Sequence, residues 1–184
     1  MIVEMPNNGN PKAMLDRIEQ VFGWRKKPAQ LVQDSNQSSL DFDINEALWF
    51  AGHDWHELTW QDWQTRSEAI IFMTQEAFAY YLPSILGLSV QRPNEPLAPA
   101  QSLIWELDRT PGVENWDVYL TDRFLALRVE ELEVLKEWLV QVCEYPVYRG
   151  FRNAAAGAGE ILGRAFDTVD LLQKEVAQRH LKSS

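Results

Sequence analysis

The 184-residue chain reads as a mainly α protein, a single-domain irregular bundle of about six helices. Three observations lead there. Apolar residues recur at helical spacing over long windows, most clearly Leu132, Leu135, Trp138, Leu139 and Val142, and again Ala165, Phe166, Val169, Leu172 and Val176. Helix-start residues (Asp43, Thr59, Thr74) and glycine stops (Gly23, Gly52) punctuate the chain at short intervals. No self-similarity appears at periods of about 20 to 50 residues, so a solenoid is not expected.

The first helix is expected from Pro11 to Phe22, with proline early and Met14, Leu15, Ile18, Val21 and Phe22 on one face, ended by Gly23. Arg25-Lys26-Lys27-Pro28 reads as a basic turn, and the polar run from Gln30 to Ser39 as a linker. Residues 1–40 are therefore an N-terminal helix plus linker, and 41–184 a helical domain, forming one globular unit overall. Asp43 caps a short helix over Ile44–Ala51, stopped at Gly52. Thr59 caps the next, with Trp60, Trp63, Ile70 and Met73 at helical spacing, and Thr74 opens another bearing Phe78, Tyr81, Leu82 and Ile85. Pro83 is expected to end or kink that helix, because it lacks an N–H and clashes with the preceding turn.

Pro93, Pro96 and Pro99 mark an irregular crossing, followed by a short helix over Ser102–Leu107 that closes at Thr110-Pro111-Gly112. Val118–Leu120 and Phe124–Leu127 are short apolar runs compatible with one extended pair. Glu130–Glu144 is a helix with three acids at its positive end. The last helix starts near Asn153 or Gly159, reaches Leu181 and carries Ile161, Leu162, Ala165, Phe166, Val169, Leu172 and Val176 as its apolar stripe. Ala155, Gly159 and Gly163 form a small-residue edge on it, suited to close packing of another helix.

Charge narrows the function classes. The net charge of −10 is concentrated in residues 34–80, which carry nine acids against Arg66 alone. An acidic surface repels phosphate backbones, so a nucleic-acid partner is not expected. No apolar run reaches the ~20 residues of a membrane span. The N-terminus lacks the pattern of a signal peptide. A soluble, cytoplasmic protein is the expectation. The sole cysteine, Cys143, falls on the apolar side of a helix and reads as an inert core thiol.

Catalytic patterns are scarce. His53, His56 and Glu57 form the one histidine cluster, and i, i+3 spacing on a helix places two imidazoles on one side as a zinc site needs. Their order is His-x-x-His-Glu rather than His-Glu-x-x-His, and no cysteine or further histidine lies near. Gly157-Ala158-Gly159 to Gly163 superficially matches a dinucleotide loop, but no strand precedes it. No cofactor is expected. The acid pairs Asp41/Asp43, Glu130/Glu131 and Asp167/Asp170 read as solvated helix faces. Glu76 stands apart because Phe72, Phe78, Tyr80 and Tyr81 surround it in sequence, and burial there would demand a partner such as Arg66 or a tyrosine hydroxyl.

The segment Trp55-x-x-Leu58, followed by Thr74-x-Glu76-Ala77-Phe78-x-Tyr80-Tyr81-Leu82-Pro83, resembles a bacterial family known only as a domain of unknown function. A later part of that family is similar to Arg123-Phe124 through Leu139. The likeness spans about residues 44 to 143 and is specific only in the Thr-to-Pro block. It implies a fold and a bacterial cytosolic setting, and brings no activity, cofactor or catalytic residue.

The leading expectation is a non-enzymatic protein, immunity- or adaptor-like, that binds a basic protein partner through an acidic, Trp-rich face. Trp49, Trp55, Trp60, Trp63, Glu76 and Tyr80 are its candidate contacts. Three of those four tryptophans are expected inside, with Trp55 or Trp60 partly exposed. Two alternatives stand beside it: a metal-dependent or acid–base hydrolase using His53, His56 and Glu57 or Glu76, and a subunit that self-associates as a homodimer through the C-terminal helix.

Overall fold

A computed structural model describes residues 10–32, 41–109, 116–148 and 158–183. Nine α-helices lie in these stretches, against the six or so expected. They are α1 (Pro11–Phe22), α2 (Asp41–Trp49), α3 (Trp60–Thr65), α4 (Ala69–Phe72), α5 (Gln75–Gln91), α6 (Ala98–Leu107), α7 (Val118–Leu125), α8 (Val129–Val142) and α9 (Ala158–Ser183). The protein is mainly α, and among the described residues no helix is long and apolar enough to cross a membrane.

The centre of the molecule is α5, with thirteen of its seventeen residues buried. A helix apolar all round has to be surrounded by protein, and α1, α6, α7 and α8 all pack on it. Thr74 caps it, its Oγ1 accepting the Ala77 N–H at 3.2 Å. Of the two outcomes expected at Pro83, an end or a kink, the end is not observed: α5 continues for eight residues to Gln91. Proline there removes one N–H from the ladder. Burial of most of the second half (Ile85, Leu86 and Val90 among it) holds the backbone helical beyond it.

The α1 helix lies as expected from its sequence, capped by Asn10 and burying Met14, Ile18, Val21 and Phe22 against α5 and α8. The second helix starts two residues before the expected Asp43 cap, and residues 50–52 tighten into a 3₁₀ turn. Thr59 forms a reciprocal capping box with Asp62. The stretch Trp60–Met73 is two short helices rather than one. Arg66 leaves the helical region (φ −124°, ψ 47°), and Met73 is extended and bridges antiparallel to Val32. That bridge and the 2.6 Å bond from Thr74 N–H to Leu31 C=O tie the segment after α1 to the start of α5.

The sixth helix begins four residues before its expected start, with Pro99 in its first turn. The extended pair expected near 118–127 is instead α7. Short apolar runs do not distinguish strand from helix, and tertiary contacts decide here. Phe124 packs edge-on against Phe78 (5.2 Å between centroids), and buried Arg123 lies over the same ring while donating to Ile70 C=O and pairing with Glu106. Thr110-Pro111-Gly112 lies outside the described residues.

In α8 the expected inward residues Leu132, Leu135, Trp138, Leu139 and Val142 are buried, as is Cys143 at its end. Glu131 is not on a solvated face: it is fully buried, and its carboxylate receives Arg25 through two bonds of 2.6 and 2.5 Å. A buried carboxylate needs a counter-ion, and the chain supplies it from the exit of α1. The long α9 packs on α6, α7 and α8 through Ala165, Val169, Leu172 and Val176. Of its small-residue edge, Ala155 lies outside the described residues. Among the described residues a Cβ on Gly163 would meet nothing within 4 Å, so none of them makes the close helix packing expected at this glycine.

Candidate functional site

A groove of about 370 Å³ runs between α1, the 53–59 loop and α5. Leu15 and Ile18 of α1, Trp55 and Leu58 of the loop, and Pro83 and Leu88 of α5 give it an apolar floor. Its ionisable lining consists of Asp16, Glu19 and His56. Both acids are exposed, one turn apart on the face of α1 beside its buried stripe. Gly87 faces Leu15, whose Cδ2 would lie 3.4 Å from a Cβ at that position, so the missing side chain leaves room along α5.

The loop is fastened to α5 by two tyrosines that follow one another in sequence. The Tyr80 hydroxyl donates to Asp54 Oδ2 at 2.6 Å, and the Tyr81 hydroxyl bonds Phe50 C=O at 2.6 Å and His53 C=O at 3.1 Å. Within the loop, Asp54 N–H donates to Glu57 Oε2 and His56 N–H to Asp54 Oδ1. His56 is then held at both ring nitrogens, Nδ1 2.5 Å from Asp54 and Nε2 3.0 Å from Glu19, with its ring stacked on Trp55 at 3.5 Å. Glu19, His56, Asp54 and Tyr80 thus form one continuous polar chain that joins α1, loop and α5.

Electrostatics follow from these contacts. Partial burial opposes ionisation of Asp54, but hydrogen bonds from Tyr80 and His56 outweigh it and bring its pKa down to about 2. Burial likewise opposes charge on His56, and the bonds and charges of Asp54 and Glu19 overcome it, raising its pKa above the ordinary 6.5. Burial and the neighbouring Asp54 push Tyr80 up, so it serves as a hydrogen-bond donor.

The sequence-predicted residues are dispersed by the fold. His53 turns away from His56: its Nδ1 lies 3.2 Å from Trp49 C=O and its ring stacks on Trp49 at 3.9 Å. Glu57 is engaged in the loop turn. Among the described residues no group of three or more His, Cys, Asp and Glu is placed to hold a metal ion. Two of the four tryptophans are buried and two half-buried, rather than three and one. Trp63 is fully buried, donates to Ser84 Oγ at 2.9 Å and packs on Phe50, so its role is in the core. Trp55 forms part of the groove wall.

Trp49 and Trp60 show part of their surface, each with a guanidinium over its ring: Arg66 at 3.9 Å and Arg92 at 5.5 Å. Tyr80 is buried and positions the loop. Glu76 is exposed in the first turn of α5, where a negative charge suits the helix dipole. Arg66, considered as its partner, lies 3.8 Å from Glu46 instead.

Asp16, Glu19, Leu15 and Gln91 were not identifiable as site residues from sequence. The only signal was that α1 carries two acids at i, i+3 beside its apolar stripe, and Glu19 meets His56 across 37 positions. Compared with protein-family models, with curated proteins and with solved structures, the chain finds no match.

Proposed function

We propose that this chain is a non-enzymatic binding protein that receives a basic segment of a protein partner in the groove between α1 and α5. One observation carries the reading: an apolar floor is rimmed by Asp16 and Glu19, and among the described residues the only basic side chain lining it, His56, is already engaged by two carboxylates, Asp54 and Glu19. Such a site matches a lysine or arginine side chain, whose apolar stem rests on a hydrophobic wall while its charged head meets the acids. The net charge of −10 favours encounter with a cationic partner. This moves the contact face from the Asp43–Glu76 stretch to the groove, with Trp55, His56 and Leu58 common to both.

A hydrolase reading draws less support. Both nitrogens of His56 are occupied, which leaves neither open to take a proton from a substrate.

The test is fluorescence anisotropy with a dye-labelled peptide of alternating lysine and leucine. Reversing the rim charge outside the Glu19–His56 contact, Asp16→Lys, should weaken binding at least tenfold, or about 1.4 kcal/mol, with the thermal melt retained. Equal binding by the reversed variant would sink the reading.

A further inference from the structure

Trp24 follows the end of α1 and is 53% exposed, unusual for the largest apolar side chain. It is not loose. The Arg128 guanidinium carbon lies over its ring at 4.0 Å and that of Arg25 at 5.1 Å. Both arginines are fixed: Arg25 by Glu131 and by Ala126 C=O at 3.1 Å, Arg128 by Val21 C=O at 3.0 Å. An aromatic ring held exposed by anchored cations binds with little loss of side-chain freedom, the property that makes Trp and Arg frequent anchors of interfaces.

The charge around it is unbalanced. Glu131 spends one oxygen on Arg25 Nε and the other on Arg25 Nη2 and on the backbone N–H of Arg128 at 2.7 Å. The Arg128 guanidinium shares that one carboxylate with Arg25, its Nε 3.8 Å away in an ion pair without a hydrogen bond, and has 42% of its side chain exposed. Lys26 and Lys27, two and three positions after Trp24, are both exposed. A cationic, aromatic patch therefore stands on a molecule whose overall charge is −10.

We infer that Trp24, Arg128, Lys26 and Lys27 form a second interaction surface, which takes a carboxylate-rich segment of a partner protein. Guanidinium groups fork onto carboxylates, as Arg25 does with Glu131 inside this molecule. A nucleic acid fits less well, because a continuous phosphate backbone needs many cations in a row and would meet the acidic remainder of the surface. None of these four residues lines the α1–α5 groove, so the two surfaces stand or fall separately.

The experiment uses the full chain and a dye-labelled peptide of glutamates interspersed with leucine, read by anisotropy at low and high salt. Binding should weaken at least tenfold in Arg128→Glu and in Trp24→Ala, and should decline with salt. Lys174→Glu, an equal charge change at an exposed position on α9, should leave it within twofold. Trp24→Ala alters an exposed side chain and keeps the test open if Arg128→Glu fails to fold by circular dichroism. The inference is overturned by an absence of binding, by equal loss in Lys174→Glu, or by a single-stranded oligonucleotide that binds more tightly and is lost in the same variants.

Discussion

His56 is the residue whose environment departs furthest from what its neighbours in sequence suggest. Held by Asp54 and Glu19, it has a folded pKa above the 6.5 of the unfolded chain. The proton is therefore bound more tightly in the folded state. The resulting stabilisation is fully present below pH 6.5 and is lost as pH rises through the folded value. Asp54 behaves in the opposite sense: with its pKa lowered from 3.8 to about 2, its contribution is present above pH 3.8 and lost as pH falls through about 2. Ring-proton NMR should show the His56 midpoint above 6.5, and Asp54→Asn should bring it down. A midpoint unmoved by that substitution would mean that the contact contributes nothing to the charge on His56. Histidine spacing showed a cluster in the sequence, but not that His53 and His56 face different partners.

Helix by helix, local chemistry carried the reading furthest where a cap or a stop is a one-residue decision. Thr74 does two things at the head of α5: its hydroxyl oxygen accepts Ala77 N–H, and its hydroxyl donates to Gln30 C=O at 3.0 Å. Thr74→Ala should cost about 1 kcal/mol from the lost cap, with a further loss from the freed Gln30 segment. Thr74→Ser should recover most of it. Urea denaturation midpoints at constant slope measure both, and equal midpoints for Ala and Ser would deny the cap its role. The helix through Pro83 and the helix at α7 were not legible. Each depends on which side chains surround it, and propensity yields to burial of that extent.

Across the whole molecule, the Arg25–Glu131 pair joins groups 106 residues apart and locks the exit of α1 to the start of α8. Glu131 has no exposed surface, so Arg25→Ala removes both guanidinium bonds to a buried charge, leaving it the Arg128 backbone N–H and a guanidinium 3.8 Å away, and should cost about 3 kcal/mol, the lower end for breaking such a pair. Adding Glu131→Gln should restore part of that loss in a double-mutant cycle. A cost for Arg25→Ala below about 0.5 kcal/mol, ordinary for a surface substitution, would show that the pair is not a structural lock. The same junction positions Trp24 and Arg128, so this pair also underlies the rigidity of the proposed acidic-segment surface.

The sequence by itself determined the helical class, the bounds of α1, the caps at Thr59 and Thr74 and the inward face of α8. These follow from periodicity and from hydrogen bonds spanning three or four residues. Tertiary structure alone decided that α5 passes Pro83, that α7 is helical and that Glu131 is a buried ion-pair partner. It also decided the groove, because Asp16, Glu19 and His56 meet only when α1 packs on α5 beside the 53–59 loop. The free energy of a buried charge or a filled pocket depends on neighbours distant in the chain, and those neighbours exist as such only once the helices have packed.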